Sequence, residues 1–180
     1  MVGNIPNILT LTRILLLPFF AATLVYKEYQ YALILFITAA ITDILDGFIA
    51  RITNQITDVG KILDPVADKF FLITSFVLMS YIELIPKWLT IIVISKDIVV
   101  VSGCFIIYFV THNLKIEPSI LGKLASGVQF ILIGVVLLSS NMKNGLQVTM
   151  PFLVIVAVIT ALSGIHYVYK GLKMASIENS

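Results

Sequence analysis

Apolar residues run along this chain in six long blocks, and short polar stretches separate them. The blocks cover about 8–26, 31–50, 61–82, 88–110, 119–140 and 147–169. Alternation is the mark of a half-buried strand, whereas long continuous runs are the mark of buried or lipid-facing helices. A bilayer-spanning helix needs roughly 20 mostly apolar residues. In lipid the backbone's own polar groups restrict a chain to helices or closed barrels. The pattern therefore predicts an all-α membrane protein, a bundle of about six transmembrane helices. The short connections favour antiparallel neighbours in one domain over 1–180.

Composition strengthens this expectation. The chain is 59% hydrophobic and 12% charged, with mean hydropathy +1.04. Soluble domains average about 45–50% apolar and about 25% charged. Cys104 is the single cysteine, so no internal disulfide and no cysteine metal cluster can form. A net charge of +2 without a basic run gives no footprint for nucleic acid.

The start, MVGNIPNILTLTRILLLPFF, lacks the basic region and small-residue cleavage site of a removable leader. It reads as an N-terminal interfacial segment that runs into the first span, with a kink expected at Pro18. With six spans both termini share a side. That side collects Arg13, Arg51, Lys61, Lys115, Lys123, Lys170 and Lys173, against Lys27, Lys87 and Lys143 opposite. The bias places the termini in the cytoplasm.

One stretch breaks the apolar pattern hardest. DILDGFIARITNQITDVGKILDPVADK carries Asp43 and Asp46 on the second block, and Asp64 and Asp68 on the third. Spacings of three and four put each pair on one helix face. At 1.5 Å per residue, Asp43 and Asp46 lie roughly 12 and 8 Å before Arg51. Asp64 and Asp68 lie roughly 9 and 15 Å into a helix that starts near Asp58. The four carboxylates can thus meet at one depth below the cytoplasmic surface.

Close carboxylates repel, and burial raises the cost, so something positive must sit among them. Arg51, Lys61 and Lys69 are near but do not fill the centre. Oxygen-only ligands suit a hard divalent cation, Mg²⁺ or Mn²⁺, and four carboxylates can hold two ions. Helix capping explains Asp58 but not two matched pairs. Gly47 and Ala50 leave one helix face bare for a close ligand, although ordinary helix packing uses small residues too. Arg51 is placed to grip a phosphate or to snorkel.

Written as a pattern, the stretch is D-x2-D-G-x2-A-R-x8-G-x3-D-x3-D, from Asp43 through Gly60 to Asp68. It resembles the signature of the CDP-alcohol phosphatidyltransferase family at all eight fixed positions, and the six blocks extend the likeness over nearly the whole chain. The resemblance implies a single transmembrane transferase domain over 1–180, in an integral membrane protein of a bacterial inner membrane. It implies transfer of the phosphatidyl group of CDP-diacylglycerol to a glycerol-type acceptor, with release of CMP. By motif position Asp43, Asp46, Asp64 and Asp68 would bind two divalent ions. Asp68 would also be the catalytic base. Gly47, Ala50 and Gly60 would make room for the nucleotide, and Arg51 would contact its phosphates. The family implies a homodimer.

Lys96 and Asp97 interrupt the fourth block, and Lys123 lies about one turn into the fifth. All three are candidates for the acceptor pocket. Sequence neighbours on a helix point about 100° apart, so Lys96 and Asp97 are expected to face different partners. Phosphatidylglycerophosphate synthases of this family carry an Arg-Glu pair near that point and a further arginine beyond it. Here Ser102, Gly103, Cys104 and Phe105 follow instead. The run from ELIP at Glu83 through ISKD to PS-x2-GK with Gln129 is more similar to the CMP-forming cardiolipin synthases. Glycerol 3-phosphate and phosphatidylglycerol both remain open as acceptors. Thr10 and Arg13, in PN-x2-T-x2-R, are placed at the site entrance by the same resemblance. A small cation or proton channel is the rival class. A pathway needs polar residues toward the far side, and only Lys96 and Asp97 break the interior beyond the aspartates.

Overall fold

The computed structural model describes residues 5–53, 58–111, 120–142 and 148–177, with side chains described over 10–45, 67–103, 120–142 and 148–170. Among the described residues there are six helices and no strand. They are α1 (Ile5–Val25), α2 (Tyr29–Thr53), α3 (Asp58–Tyr81), α4 (Lys87–Thr111), α5 (Ile120–Asn141) and α6 (Met150–Ile177). α1 runs unbroken through Pro18, so the interfacial segment and the first span are one helix from Ile5 onward. Among the described residues α5 and the Met150–Lys170 part of α6 are long and apolar enough to cross a membrane. Shorter apolar stretches fill Thr10–Val25 and Tyr29–Leu45. Charged residues interrupt the apolar runs of α2, α3 and α4.

The helices fall into two compact units. The first comprises Met1–Leu84 and Ile133–Gln147. Here α1 packs against both α2 and α3. Phe71 is the hub of the core: it stacks on Phe20 with ring centroids 4.9 Å apart and lies 6.1 Å from Phe36. The later part of α5 passes close to Phe36 at Gly134, where a Cβ would sit 3.3 Å from the ring. Asn141 then ties the end of α5 to the start of α2 by donating to the Tyr29 carbonyl at 2.9 Å.

Two turns in this unit share one device. After α1 the Glu28 N–H reaches back to the Thr23 carbonyl at 2.8 Å, and Lys27 N–H reaches Leu24 at 3.0 Å. After α3 Leu84 N–H bonds Met79 at 2.8 Å, and Glu83 N–H bonds Ser80 at 3.2 Å. Each is a Schellman cap, which needs a left-handed residue just past the helix. Lys27 and Glu83 take that role at φ 59° and 65°, where glycine is the usual choice.

The second unit comprises Ile85–Leu132 and Val148–Ser180. α4 packs on α6, and Gly164 of α6 accepts the stem of Lys96, whose Cγ would lie 3.2 Å from a Cβ there. Leu89, Val93, Ala125, Leu132 and Val156 are fully buried. Gln129 of α5 donates to the Thr160 hydroxyl of α6 at 3.0 Å, a buried polar tie between two apolar helices.

Large apolar side chains face outward on every helix, among them Leu15, Phe19, Ile44, Phe70, Ile91, Ile131 and Ile165. Apolar exposure on this scale is a liability in water but the expected surface in lipid. Tyr26 and Tyr31 are exposed at helix ends, as an aromatic belt requires.

Candidate active site

Three helices of the first unit each carry a buried stripe that changes character along its length. On α1 the stripe runs from Leu24 and Phe20 to Arg13 and Thr10. On α2 it runs from Ala32, Phe36 and Ala39 to Asp43, and on α3 from Met79, Phe76 and Phe71 to Asp68. The apolar ends make the aromatic core. The polar ends meet at Arg13.

Arg13 is 1% exposed, and two nitrogens of its guanidinium hold two carboxylates. Nη2 lies 2.7 Å from Asp43 Oδ1, and Nη1 donates to Asp68 Oδ1. The two aspartates, on different helices, therefore stand within one guanidinium's width of each other. They remain about two-fifths exposed, at 42% and 39%. The positive charge sits inside the helices and the negative charges face outward from it. A planar fork of donors suits this bridging role, which a single ammonium would not fill.

Arg13 is the residue that sequence reasoning underrated. It was expected at the site entrance, and it lies buried in contact with two of the four aspartates. The available signal was an arginine in an apolar run, one turn after Thr10, on the same face as Phe20 and Leu24. A charge buried on such a face needs an acid opposite it.

Asp46, Gly47, Ala50 and Arg51 follow Asp43 along α2, and Gly60 and Asp64 precede Asp68 along α3. Their side chains lie outside the described residues, as do His112 and the side chain of Cys104. Among the described residues no three acidic, histidine or cysteine side chains form a metal-binding group. The Asp43–Asp68 pair nonetheless fits a hard cation: both donors are carboxylate oxygens, both are held close, and both are open to water.

Lys96 and Asp97 lie in the second unit and differ from expectation. They do not face separate partners: Lys96 Nζ lies 2.8 Å from Asp97 Oδ1, and both side chains are under a tenth exposed. The helical offset of neighbouring residues fixes only where the stems begin. Lysine's four-carbon stem crosses that offset easily. Lys123 is exposed on α5, and His166 is exposed on α6.

An arginine between paired acids, at one end of three apolar helices, fits an enzyme that handles a charged group on an apolar substrate. The family model for CDP-alcohol phosphatidyltransferases matches residues 3–163, which take in all four aspartates. The chain belongs to the CDP-alcohol phosphatidyltransferase family. That family consists of membrane-associated enzymes of lipid synthesis that generally use divalent metal ions.

The chain is 37% identical over 177 residues to the CDP-diacylglycerol–glycerol-3-phosphate 3-phosphatidyltransferase of Aquifex aeolicus (strain VF5), covering 95% of this chain and 97% of that one. It is 30% identical over 195 residues to the enzyme of the same name from Bacillus subtilis (strain 168), covering 98% and 99%. It is also 30% identical over 191 residues to the cardiolipin synthase (CMP-forming) of Homo sapiens, covering 97% of this chain and 64% of the human one. The channel reading finds no support among these relatives.

Proposed function

We propose that this protein transfers the phosphatidyl group of CDP-diacylglycerol to a hydroxyl of a glycerol-type acceptor and releases CMP. The observation that carries the reading is the carboxylate pair held open by Arg13, inside a chain whose family and relatives are phosphatidyltransferases. The whole chain acts as one transferase domain of six transmembrane helices, with the aspartates toward the cytoplasmic face. A bacterial inner membrane and a homodimer complete the reading.

Asp43, Asp46, Asp64 and Asp68 would hold two divalent cations, Mg²⁺ or Mn²⁺. Bound there, the ions would offset the charge of the donor's pyrophosphate and of the departing CMP. Gly47, Ala50 and Gly60 leave room for the cytidine nucleotide, and Arg51 contacts its phosphates. Asp68 takes the proton of the acceptor hydroxyl. That oxygen then bonds to the phosphorus bearing the diacylglycerol, and the bond from this phosphorus to CMP breaks. Lys123, exposed on α5, is the cation left for an acceptor phosphate, because Lys96 is already paired with Asp97.

Two acceptors of one class fit. Identity to the Aquifex enzyme favours glycerol 3-phosphate. The missing second arginine and the internally neutralised Lys96 favour phosphatidylglycerol. Purified protein given CDP-diacylglycerol and each acceptor in parallel decides between them through the lipid product. CMP release with neither acceptor, at any concentration of Mg²⁺ or Mn²⁺, overturns the reading of this chain as a transferase to glycerol-type acceptors.

A further inference from the structure

Arg13 poses a problem that the transferase reading leaves unsolved. A divalent cation held by Asp43 and Asp68 would stand close to a buried guanidinium that contacts the same two carboxylates. Like charges at such separations repel strongly where water is excluded. Arg13 is 1% exposed, so it cannot shed that repulsion by turning into solvent. Its position is fixed from behind by α1, whose Phe20 is locked against Phe71 of α3.

We propose that Arg13 is a resident counter-cation that makes divalent-ion occupancy of the site depend on the anionic nucleotide donor. Without a metal ion, Arg13 offsets part of the charge of the two carboxylates and ties α2 to α3 through them. It opposes a lone divalent ion by charge. A diphosphate donor arriving with the ion brings the negative charge that offsets both cations, so metal and donor load together. Occupancy by one ligand then raises affinity for the other, as any coupling free energy must do in both directions. This role rests on the divalent-ion reading of the aspartates. It makes Arg13 a positioning residue that acts through Asp43 and Asp68.

The test measures Mn²⁺ binding to the purified full chain by the loss of free Mn²⁺ signal in electron paramagnetic resonance, with and without CDP. Thermal unfolding in chelator provides the second readout. In the wild type CDP should tighten Mn²⁺ binding. In Arg13→Gln, Mn²⁺ alone should bind about tenfold or more tightly than in the wild type, and the gain from CDP should shrink, within the 5–150-fold range of ordinary couplings. The metal-free unfolding midpoint should fall, and Mn²⁺ should restore it. Arg13→Lys keeps the charge but cannot span both carboxylates, so it should lie between the two. It also serves as the test variant if Arg13→Gln fails to fold even with Mn²⁺.

Equal or weaker Mn²⁺ binding in the variants overturns the proposal. So does a CDP effect that is unchanged from the wild type. If Asp68→Asn abolishes Mn²⁺ binding while the Arg13 variants bind as the wild type does, only the role of Arg13 falls. If the wild type binds no Mn²⁺ even with CDP, the divalent-ion reading falls with it.

Discussion

Two buried basic side chains among the described residues lie beside acids, and the two groups could hardly be built more differently. In the first unit Arg13 is buried, but its partners Asp43 and Asp68 are about two-fifths exposed. One positive charge serves two negative ones, so the described group carries net negative charge and presents it outward. In the second unit Lys96 and Asp97 are both under a tenth exposed and pair with each other. That group is closed and neutral. An unbalanced, open cluster attracts a further ligand, whereas a balanced, closed one has little left to offer. On that difference the proposed transfer chemistry rests on the first group, and the second is expected to act first as scaffold.

The largest expected effect breaks the open cluster. Asp68→Ala should lower the transfer rate by at least about 100-fold, the usual scale for losing a general base. The protein should still fold, because Arg13 keeps Asp43 as its partner. The measurement is CMP release alongside the thermal midpoint in detergent. Near-normal turnover would remove Asp68 from the proton-transfer role.

Next comes the closed pair. Lys96→Met leaves Asp97 buried without its cation, and breaking a buried pair from one side costs about 3–5 kcal/mol. Replacing both, as Lys96→Met with Asp97→Leu, should recover most of that loss, since apolar isosteres of a buried pair are often neutral or better. Unfolding midpoints of the single and double variants check this. If the double variant is stable but its KM for the acceptor rises, Lys96 and Asp97 belong to the acceptor pocket as well as to the scaffold.

A smaller effect probes the same pair through its neighbour. Gly164→Ala puts a methyl 3.2 Å from Lys96 Cγ, on a stem whose far end is held by Asp97. Overpacking of this kind typically costs about 1–3 kcal/mol, against about 1 kcal/mol regained by removing a helical glycine. A small net loss is expected in the wild type. In the double variant the stem is no longer tethered, and Gly164→Ala should become neutral or stabilising. Equal effects in both backgrounds would mean that the tether does not restrain Lys96.

These contrasts also explain what could be read from the chain alone. The helices were legible because long apolar runs set their own limits: 31–50 was expected where α2 spans Tyr29–Thr53, and 88–110 where α4 spans Lys87–Thr111. α6 outran its expected end at 169, reaching Ile177, because GLKMASI continues as helix after the apolar run stops. The approach of Asp43 to Asp68 was legible because helical periodicity and a short turn bring the acidic faces of two neighbouring helices together. Their contact with Arg13 was not. Asp68 lies 55 residues from Arg13, and no local rule couples positions so far apart. Lys96 failed in the opposite direction, since periodicity fixes where a stem starts and not where a flexible one ends.

The smallest expected effect lies at the two Schellman caps, where the comparison can be run with no charge cluster involved. Lys27 and Glu83 hold left-handed backbone at φ 59° and 65°. A side chain in that region costs roughly 1–2 kcal/mol, and glycine removes the clash. Glycine also adds freedom to the unfolded chain, which returns roughly 0.5–1 kcal/mol of the gain. Lys27→Gly and Glu83→Gly should therefore each stabilise the protein by about 0.5 kcal/mol, the difference of those two effects. Both sites are exposed, so transfer activity and Mn²⁺ binding should not change. The two gains should add, because each cap closes its own helix end through its own backbone bonds. A destabilising result at either site would mean that the side chain contributes more there than the strain it causes.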